Sequence, residues 1–425
     1  MRPGSITSAR AAAARAIAAV AADRFDAHPI AIETADLSPR DAALALAIQR
    51  VTLQRWLTLE FLLKRFLNQP AAKLEPAMRG VLLTGAAQLL FFDRLPPHAV
   101  VDESVKLARS MMRPAAGGLA NAVLRRVAEL VERRTTELWS PAPNRLPLDD
   151  GSLALREPCL PAVEPIAQYL SVATSHPSKL VASWIAELGV EQAVEACLHG
   201  IHAPPIFVHQ PETPRPVLWS ESHERLRAFL AEDVRRRVQD PTAAAAVNAT
   251  ADMAPATVID YCAGRGTKTR QLLAVHPHAQ IVAGDIAPER MTDLQREFAR
   301  VSRVTVASPD RMPRGADLLV LDVPCGNTGV LGRRPEARYR FSAANVRSLV
   351  ALQRRIMAQS LPLLKPGGHI LYTTCSTTRA ENQEQAAFLS DRLGAKVVRE
   401  SLTLPGGQGE NYHDGGYYAL LRLTE

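Results

Sequence analysis

The last 180 residues alternate short apolar runs with helical patterns, and this alternation constrains the possible fold more than any other feature of the chain. The runs are rich in branched apolar side chains, as buried parallel strands are. The predicted strands cover 257–261, 280–284, 316–323 and 369–374, and the predicted helices cover 267–275, 287–300, 344–364 and 381–393. The sequence therefore predicts a doubly wound α/β domain.

The first third of the chain shows helical spacing with almost no strand-like alternation. Ser38, followed by Pro39 and Asp41, predicts the start of a helix. Further helices are predicted over 54–68, 75–91, 97–111 and 118–134. Six prolines between residues 140 and 165 indicate a linker. We therefore predict four parts: a helical domain over 1–138, a linker over 139–165, a small intermediate subdomain over 166–245 and the α/β domain over 246–425.

The excess positive charge is confined to the helical part of the chain. Residues up to Arg134 include 19 basic and 12 acidic side chains, an excess of +7, and 31 of each kind follow. A polyanion such as RNA would be attracted to such a domain. The five cysteines form no CxxC pair, which argues against a disulfide framework and a zinc site. We therefore expect no metal. No apolar run approaches the roughly 20 residues that span a bilayer, so we also expect no membrane segment.

A glycine-bearing loop follows the first predicted strand. Residues 260–266 read Asp-Tyr-Cys-Ala-Gly-Arg-Gly, and glycines there let a ligand approach the backbone. A Walker A loop is disfavoured because Thr267 separates Gly266 from Lys268, and a dinucleotide fingerprint because Thr269 stands at its third glycine. Asp285 ends the next strand, where an acid can bind ribose hydroxyls or cap a helix. A nucleoside-type cofactor is indicated.

Two cysteines follow neighbouring predicted strands. Cys325 lies in Asp322-Val-Pro-Cys, and Cys375 lies between Thr374 and Ser376. A single cysteine is usually a small buried apolar residue. Two at equivalent strand ends, beside an acid, favour covalent chemistry instead. The spacing alone does not say which thiol attacks, and the nearby Asp322 would raise rather than lower a thiol's pKa.

Taken together, these motifs resemble the Sun-type 16S rRNA cytosine-C5 methyltransferases of the NOL1/NOP2/Sun family. The matching segments are, in order, 238–241, 262–269, 322–325, 333–335, 364–368, 374–376 with 381–382, and 413–418. Segments 79–90, 95–98, 101–105 and 121–125 resemble the NusB-type RNA-binding domain that is fused to these enzymes. The resemblance implies an all-α NusB-like domain followed by a Rossmann-like class I methyltransferase domain.

The resemblance also implies roles for individual residues. Cys375 is the attacking thiol, Asp322 contacts the cytosine, and Cys325 assists release of the methylated base. S-adenosylmethionine would be held by Cys262, Ala263, Gly264, Gly266, Lys268, Asp285, Asp310 and Asp322. Arg333 and Arg334 would contact RNA phosphate. Each of these residues also has a simpler interpretation. Lys268 could be a solvated lysine at the start of a helix, Asp310 a turn residue, and the two arginines merely exposed side chains.

The sequence departs from the family pattern at two motifs. Gly264, Arg265 and Thr267 replace the Ala, Pro and second Gly of the family's cofactor loop. The family's Pro-Cys-Ser-Gly-Thr-Gly is here Pro-Cys-Gly-Asn-Thr-Gly. The resemblance implies a cytoplasmic, monomeric enzyme that methylates RNA, foremost 16S rRNA. Two alternatives stay open: a non-catalytic RNA-binding or ribosome-assembly factor that keeps this fold, and a tRNA cytosine-C5 methyltransferase.

Overall fold

Helices dominate the first 130 residues because apolar side chains recur there at helical spacing. The structure is a computed structural model that describes residues 8–23, 25, 32–211, 213 and 215–424. The rest of the predicted 1–138 domain lies outside the described residues. The Ser38 hydroxyl accepts from the backbone N–H of Asp41 at 3.1 Å, so the second helix begins where the cap predicts it. The helices are α1 (Ala9–Asp23), α2 (Pro39–Gln54), α3 (Trp56–Lys64), α4 (Pro76–Phe91), α5 (Pro97–Met111) and α6 (Ala116–Leu130).

The prediction of a helix over 118–134 is wrong at its C-terminal end. The helix stops at Leu130, and the next residues form β1 (Val131–Thr135), which pairs antiparallel with β3 (Gly151–Leu155); β3 in turn pairs with β2 (Arg145–Leu148). The charged run of β1 keeps a helical spacing, but pairing with a neighbouring strand overrides that local preference. The segment predicted as a linker therefore contains two strands, and Leu146, Leu153 and Leu155 of these strands are fully buried.

The first of two compact units contains residues 1–203 together with residues 331–341. Three further helices complete it: α7 (Ile166–Ala173), α8 (Ser178–Leu188) and α9 (Val190–Ile201). Its core contains apolar residues of the helices and of β2 and β3, together with Leu331 and Ala337 of the later segment. The segment predicted as an intermediate subdomain, 166–245, is divided between the two units at residue 203. The four-part division stays a prediction.

The second unit contains residues 204–330 and 342–425. It begins with a small antiparallel sheet and continues with a seven-stranded sheet flanked by helices. Its elements are β4 (Phe207–His209), β5 (Val217–Leu218), α10 (His223–Ala231), β6 (Arg237–Val238), α11 (Pro241–Asn248), β7 (Thr257–Asp260), α12 (Thr267–Val275), β8 (Gln280–Ala283), α13 (Pro288–Phe298), β9 (Val304–Val306), β10 (Ala316–Asp322), α14 (Ala343–Ser360), β11 (Leu364–Thr374), α15 (Gln383–Leu393), β12 (Ala395–Thr403) and β13 (Gly416–Leu423).

The large sheet has the strand order β12-β13-β11-β10-β7-β8-β9. The strands from β11 to β9 run parallel, and β13 pairs antiparallel with β11 and β12. The four predicted strands are confirmed as β7, β8, β10 and β11, and two apolar clusters cover the sheet. A doubly wound α/β domain after a helical domain is therefore the observed fold class. The carboxyl ends of β7, β8, β10 and β11 share one edge, where such sheets bind ligands.

No helix in the described part of the chain is long and apolar enough to cross a membrane.

Candidate active site

The loop after β7 turns sharply because of its two glycines. Gly266 adopts φ 81°, and a Cβ there would lie 2.6 Å from the ring of Phe298, so this position requires glycine. At Gly264 a Cβ would meet nothing within 4 Å, and its backbone N–H donates to Oδ2 of Asp285 at 3.1 Å. The loop, which contains Cys262, Ala263, Gly264 and Gly266, thus contacts the acid at the end of β8 through the backbone of Gly264. Burial raises the pKa of Cys262, so this thiol stays protonated.

Asp285 holds the turn between β8 and α13. Besides Gly264, its carboxylate accepts from the backbone N–H of Ala287 at 3.0 Å, and it forms an ion pair with the half-exposed Arg290 at 3.2 Å. Asp285 itself is only 4% exposed. Asp285 therefore braces the loop and presents a carboxylate at the sheet edge, but it does not cap α13, whose N-cap residue is Ala287 and has no side-chain cap bond.

Asp260 carries a buried carboxylate at the end of β7. Its Oδ2 accepts from the hydroxyl of Thr269 at 2.7 Å, whereas its buried Oδ1 has no hydrogen-bond partner among the described residues. Burial is the main reason that the pKa of Asp260 rises to about 7. A buried polar atom without a partner is costly unless a ligand satisfies it. Sequence reasoning missed this residue, although its place at the head of the glycine loop was a usable signal.

Lys268 and Asp322 form a partly buried ion pair. Nζ of Lys268 lies 2.8 Å from Oδ2 of Asp322, and the two side chains are 12% and 37% exposed. Burial alone would lower the pKa of Lys268, but the charge of Asp322 and its hydrogen bond outweigh burial and raise it. Lys268 is therefore not a solvated surface lysine. Asp310 lies in a 3-10 turn after β9 with an exposed side chain, and it is not brought into this cluster.

The two thiols meet at the sheet edge. Cys325, after β10, and Cys375, after β11, have their Sγ atoms 3.1 Å apart. The Asn327 amide touches both residues, because Nδ2 donates to the Cys325 carbonyl at 2.8 Å and Oδ1 accepts from the Cys375 thiol at 3.2 Å. With its own hydrogen directed to Asn327, the Cys375 sulfur accepts from Cys325.

The Cys325 thiol holds its proton more tightly than an ordinary thiol does. The pKa of Cys325 lies well above that of an ordinary thiol, first because of its hydrogen bond with Cys375, then because of burial and the negative charges of Cys375 and Glu381. Cys325 therefore keeps its proton at neutral pH.

Sequence reasoning missed Asn327, which replaces a glycine of the family pattern. It adopts φ 57°, a left-handed conformation that asparagine tolerates better than most residues, and this tolerance was a signal in the sequence. Arg333 and Arg334 belong to the first unit, where Arg334 is exposed. Among the described residues, no group of three or more His, Cys, Asp or Glu side chains could hold a metal ion.

Comparison with known proteins gives matches to both parts of the chain. Residues 249–419 match the family described as 16S rRNA methyltransferase RsmB/F, and residues 7–129 match the NusB family. The ribosomal RNA small subunit methyltransferase B of Vibrio cholerae is 30% identical over 441 residues and covers 98% of each chain. The protein of the same name from Xanthomonas campestris pv. campestris is 30% identical, with 90% of this chain and 89% of that protein covered.

The chain belongs to the RsmB/F family. The resemblance seen in its motifs is confirmed, and the chain is an RNA cytosine-C5 methyltransferase with a NusB-family domain at its N-terminal side. The RsmB/F chain therefore uses a methyl donor and methylates RNA.

Solved structures agree with this family at the level of the fold. The crystal structure of PH0851 superposes with a TM-score of 0.71 at 20% identity and covers 97% of this chain and 98% of its own. A methyltransferase homolog protein from Pyrococcus horikoshii superposes with a TM-score of 0.50 at 16% identity over 61% of this chain. At sequence identities of 20% and 16%, these structures support the fold and no further conclusion.

Proposed function

We propose that this RsmB/F protein transfers the methyl group of S-adenosylmethionine to C5 of a cytosine in 16S ribosomal RNA, through a covalent bond from Cys375. The observation that carries the proposal is the pair of thiols 3.1 Å apart at the carboxyl ends of two adjacent parallel strands. The choice of RNA rests on the relatives, which are named for methylation of small-subunit ribosomal RNA. A monomer that acts in the cytoplasm, where ribosomal RNA is assembled, belongs to the same proposal.

The residues at the sheet edge fit S-adenosylmethionine, which supplies an electrophilic methyl group when bound. The unpartnered Oδ1 of Asp260 suits a cationic or hydrogen-donating group of such a molecule. The Asp285 carboxylate suits ribose hydroxyls, and the open space over Gly264 suits close approach of a ligand to the backbone. Cys262, Ala263 and Gly266 shape the same loop. Asp310 would accept from the adenine amine, with its exposed side chain free to turn toward it.

Covalent attack makes C5 of cytosine reactive. The thiolate of Cys375 bonds to C6, N3 gains a proton, and the electron pair of the former double bond becomes available at C5. After transfer, water takes the C5 proton, the C5–C6 double bond re-forms as the bond from C6 to the Cys375 sulfur breaks, and N3 gives back the proton that it gained. Cys325 keeps its proton and lies 3.1 Å from the Cys375 sulfur, so in this second stage it can donate that proton to the departing sulfur.

Two charged groups orient the cytosine in this proposal. Asp322 contacts the edge that carries N3, and the ammonium of Lys268 at 2.8 Å holds that carboxylate in place. The target base must leave any stack to reach the thiols, so a flipped or single-stranded cytosine is the expected substrate. Arg333 and Arg334 would bind phosphates beside it.

The test is methyl transfer in vitro with defined RNA. The purified protein is incubated with S-adenosylmethionine and with 16S rRNA or tRNA from cells that lack the gene, and 5-methylcytosine is located by bisulfite sequencing. The proposal expects one or a few new sites in 16S rRNA and none in tRNA. Methylation of tRNA alone would overturn the choice of substrate. Binding of RNA without methylation of either RNA would favour the non-catalytic alternative.

A further inference from the structure

A buried carboxylate lies beneath the loops that carry both thiols. Glu381 is fully buried, in a turn just before α15. Its Oε1 accepts from the backbone N–H of Gly326 at 2.9 Å and from Nε2 of Gln353 at 3.1 Å, and its Oε2 accepts from the hydroxyl of Ser376 at 2.6 Å. Three donors thus converge on one side chain, which is what a buried carboxylate needs to remain stable.

The donors link this carboxylate to both thiol loops. Gly326 directly follows Cys325, and Ser376 directly follows Cys375. Gln353 of α14 also donates to the carbonyl of Pro324 at 3.0 Å, so it holds the residue before Cys325 as well. One carboxylate therefore fixes the backbone or side chain adjacent to each reactive sulfur, on two different strands of the sheet.

The carboxylate is itself held firmly. The hydroxyl of Tyr372 in β11 donates to the main-chain carbonyl of Glu381 at 2.7 Å. The next residue, Asn382, accepts from the Thr374 hydroxyl at 2.6 Å and donates to the Ser376 carbonyl at 2.8 Å, so it spans Cys375 from both sides. These bonds thus connect the turn around Glu381 to the Cys375 loop on both sides of the cysteine.

The fit between Glu381 and the Cys325 loop leaves no room for a side chain. A Cβ at position 326 would lie 2.9 Å from Oε2 of Glu381, which is closer than real Cβ contacts. Here the family pattern has serine and this chain has glycine. The glycine therefore lets the loop approach the carboxylate directly through its backbone N–H.

From these contacts we propose that Glu381 is a positioning residue that sets the separation of the Cys325 and Cys375 sulfurs. Removal of the carboxylate takes away one bond to Gly326 and one to Ser376, so the two loops lose the anchor that they share and keep only their direct bonds, such as that from the Gly329 N–H to the Cys375 carbonyl at 3.0 Å. The consequence for methyl transfer rests on the proposed function, but the geometric claim does not depend on it.

The test measures how fast the two thiols can be joined. Diamide oxidises a close pair of thiols: a sulfur–sulfur bond forms, and the reagent takes up both thiol hydrogens as the corresponding hydrazine. The full-length protein is treated without RNA or S-adenosylmethionine, and mass spectrometry follows the peptide pair that contains Cys325 and Cys375. We expect Glu381→Ala to slow this bond at least about tenfold, because misplacement by about an ångström costs reactive pairs that much or more.

Three further variants make the measurement specific. Glu381→Gln keeps an acceptor for Gly326 and Gln353 and can donate to the Ser376 hydroxyl, so it should join its thiols at nearly the wild-type rate. Glu384→Ala removes an exposed carboxylate in the first turn of the following helix, α15, and should have no effect. If Glu381→Ala fails to fold, Ser376→Ala decides. It removes the hydroxyl that donates to Glu381, together with its bonds to Thr328 and Thr378, and should slow the reaction at least about fivefold.

The proposal is overturned if folded Glu381→Ala, or Ser376→Ala in its place, joins the two thiols as fast as the wild type. A protein that behaves as expected with diamide but never methylates RNA would refute the proposed function and leave the positioning role intact.

Discussion

Asp260 is a residue whose surroundings act against its charge. Its carboxyl is fully buried at the end of β7, and among the described residues only the Thr269 hydroxyl donates to it. Burial, reinforced by the negative charge of Asp322, raises the pKa of Asp260 to about 7 against the favourable bond from Thr269. In the absence of a ligand, this residue is therefore a source of instability at the sheet edge.

The stability of the protein should report this charge. An unfolded aspartate ionises near about pH 4. Since folded Asp260 keeps its proton to about pH 7, the folded state binds more protons between these values, and the free energy of unfolding falls as the pH rises through them. Asp260→Asn lacks this loss, so the Tm difference between variant and wild type should be near zero at about pH 4 and several degrees in favour of the variant at about pH 8. A Tm difference that does not change with pH would contradict the assignment.

The residues found from the sequence are those whose chemistry shows in their type and spacing. Cys325, Cys375, Asp322 and Lys268 do come together, because the carboxyl ends of parallel strands share an edge. Their roles in catalysis stay predictions. Glu381 stood in a recognised motif without a role, since its function depends on a backbone N–H and a hydroxyl that reach it from two other loops. No pattern along the chain shows such contacts.

At the scale of elements, the segment 331–341 owes its place in the first unit to a buried arginine. Arg338 is fully buried, and its guanidinium donates to the carbonyls of Gly200 at 2.5 Å, Leu331 at 3.1 Å and Pro335 at 3.1 Å. These bonds tie a turn of the later sequence to the end of α9. The segment also contains Arg333 and Arg334, so Arg338 holds in place the turn that contains the two arginines proposed to contact RNA.

Loss of this arginine should destabilise the first unit. Arg338→Met keeps much of the volume but leaves several buried carbonyls without a donor, at roughly 1–3 kcal/mol each, so we expect about 3 kcal/mol less stability in urea unfolding. Arg334→Met, which changes an exposed arginine four residues earlier, serves as the control and should cost almost nothing. Equal stability of the two variants would show that the segment is held by other contacts.

The sequence predicted four of the buried strands; it missed the edge strands β9 and β12 and also β13, although most of that strand is buried. The strands β7, β8, β10 and β11 are buried on both faces, so their apolar runs are visible. By contrast, β12 is an edge strand in which Lys396, Arg399 and Glu400 face solvent, and its residues pair with β13 by main-chain bonds. The charged strand β1 was read as helix for the same reason. Where pairing rather than burial decides the structure, the residue pattern carries little signal.

At the scale of the whole molecule, charge divides the chain into a basic first part and a neutral remainder. The excess of +7 lies within residues 1–134, and several of these basic side chains are exposed, including Arg40, Arg94, Arg113 and Arg133. For single-stranded RNA, each phosphate that the protein neutralises adds about 0.7 to the slope of binding affinity against salt concentration, both on logarithmic scales. Removal of a basic side chain that binds a phosphate should therefore reduce this slope by about the same amount.

Neutralisation of these four arginines to glutamine should therefore weaken RNA binding at low salt and flatten its dependence on salt. Fluorescence anisotropy with 16S rRNA fragments across a salt series measures both effects. The matched control changes four exposed basic residues of the second unit, Arg227, Lys396, Arg314 and Arg300. A larger loss of slope in this control than in the first set would show that the first part is not the main electrostatic contact.

The central claim is that Cys375 attacks the cytosine and Cys325 serves release, and trapping of a covalent complex tests it most directly. Wild type, Cys325→Ser and Cys375→Ser are incubated with 16S rRNA and S-adenosylmethionine and run on a denaturing gel. We expect a shifted protein–RNA band to accumulate in Cys325→Ser, which can attack but not release, and no band in Cys375→Ser, because serine at neutral pH is a far weaker nucleophile than a thiolate. A band in Cys375→Ser and none in Cys325→Ser would contradict the account and reverse the roles of the two cysteines.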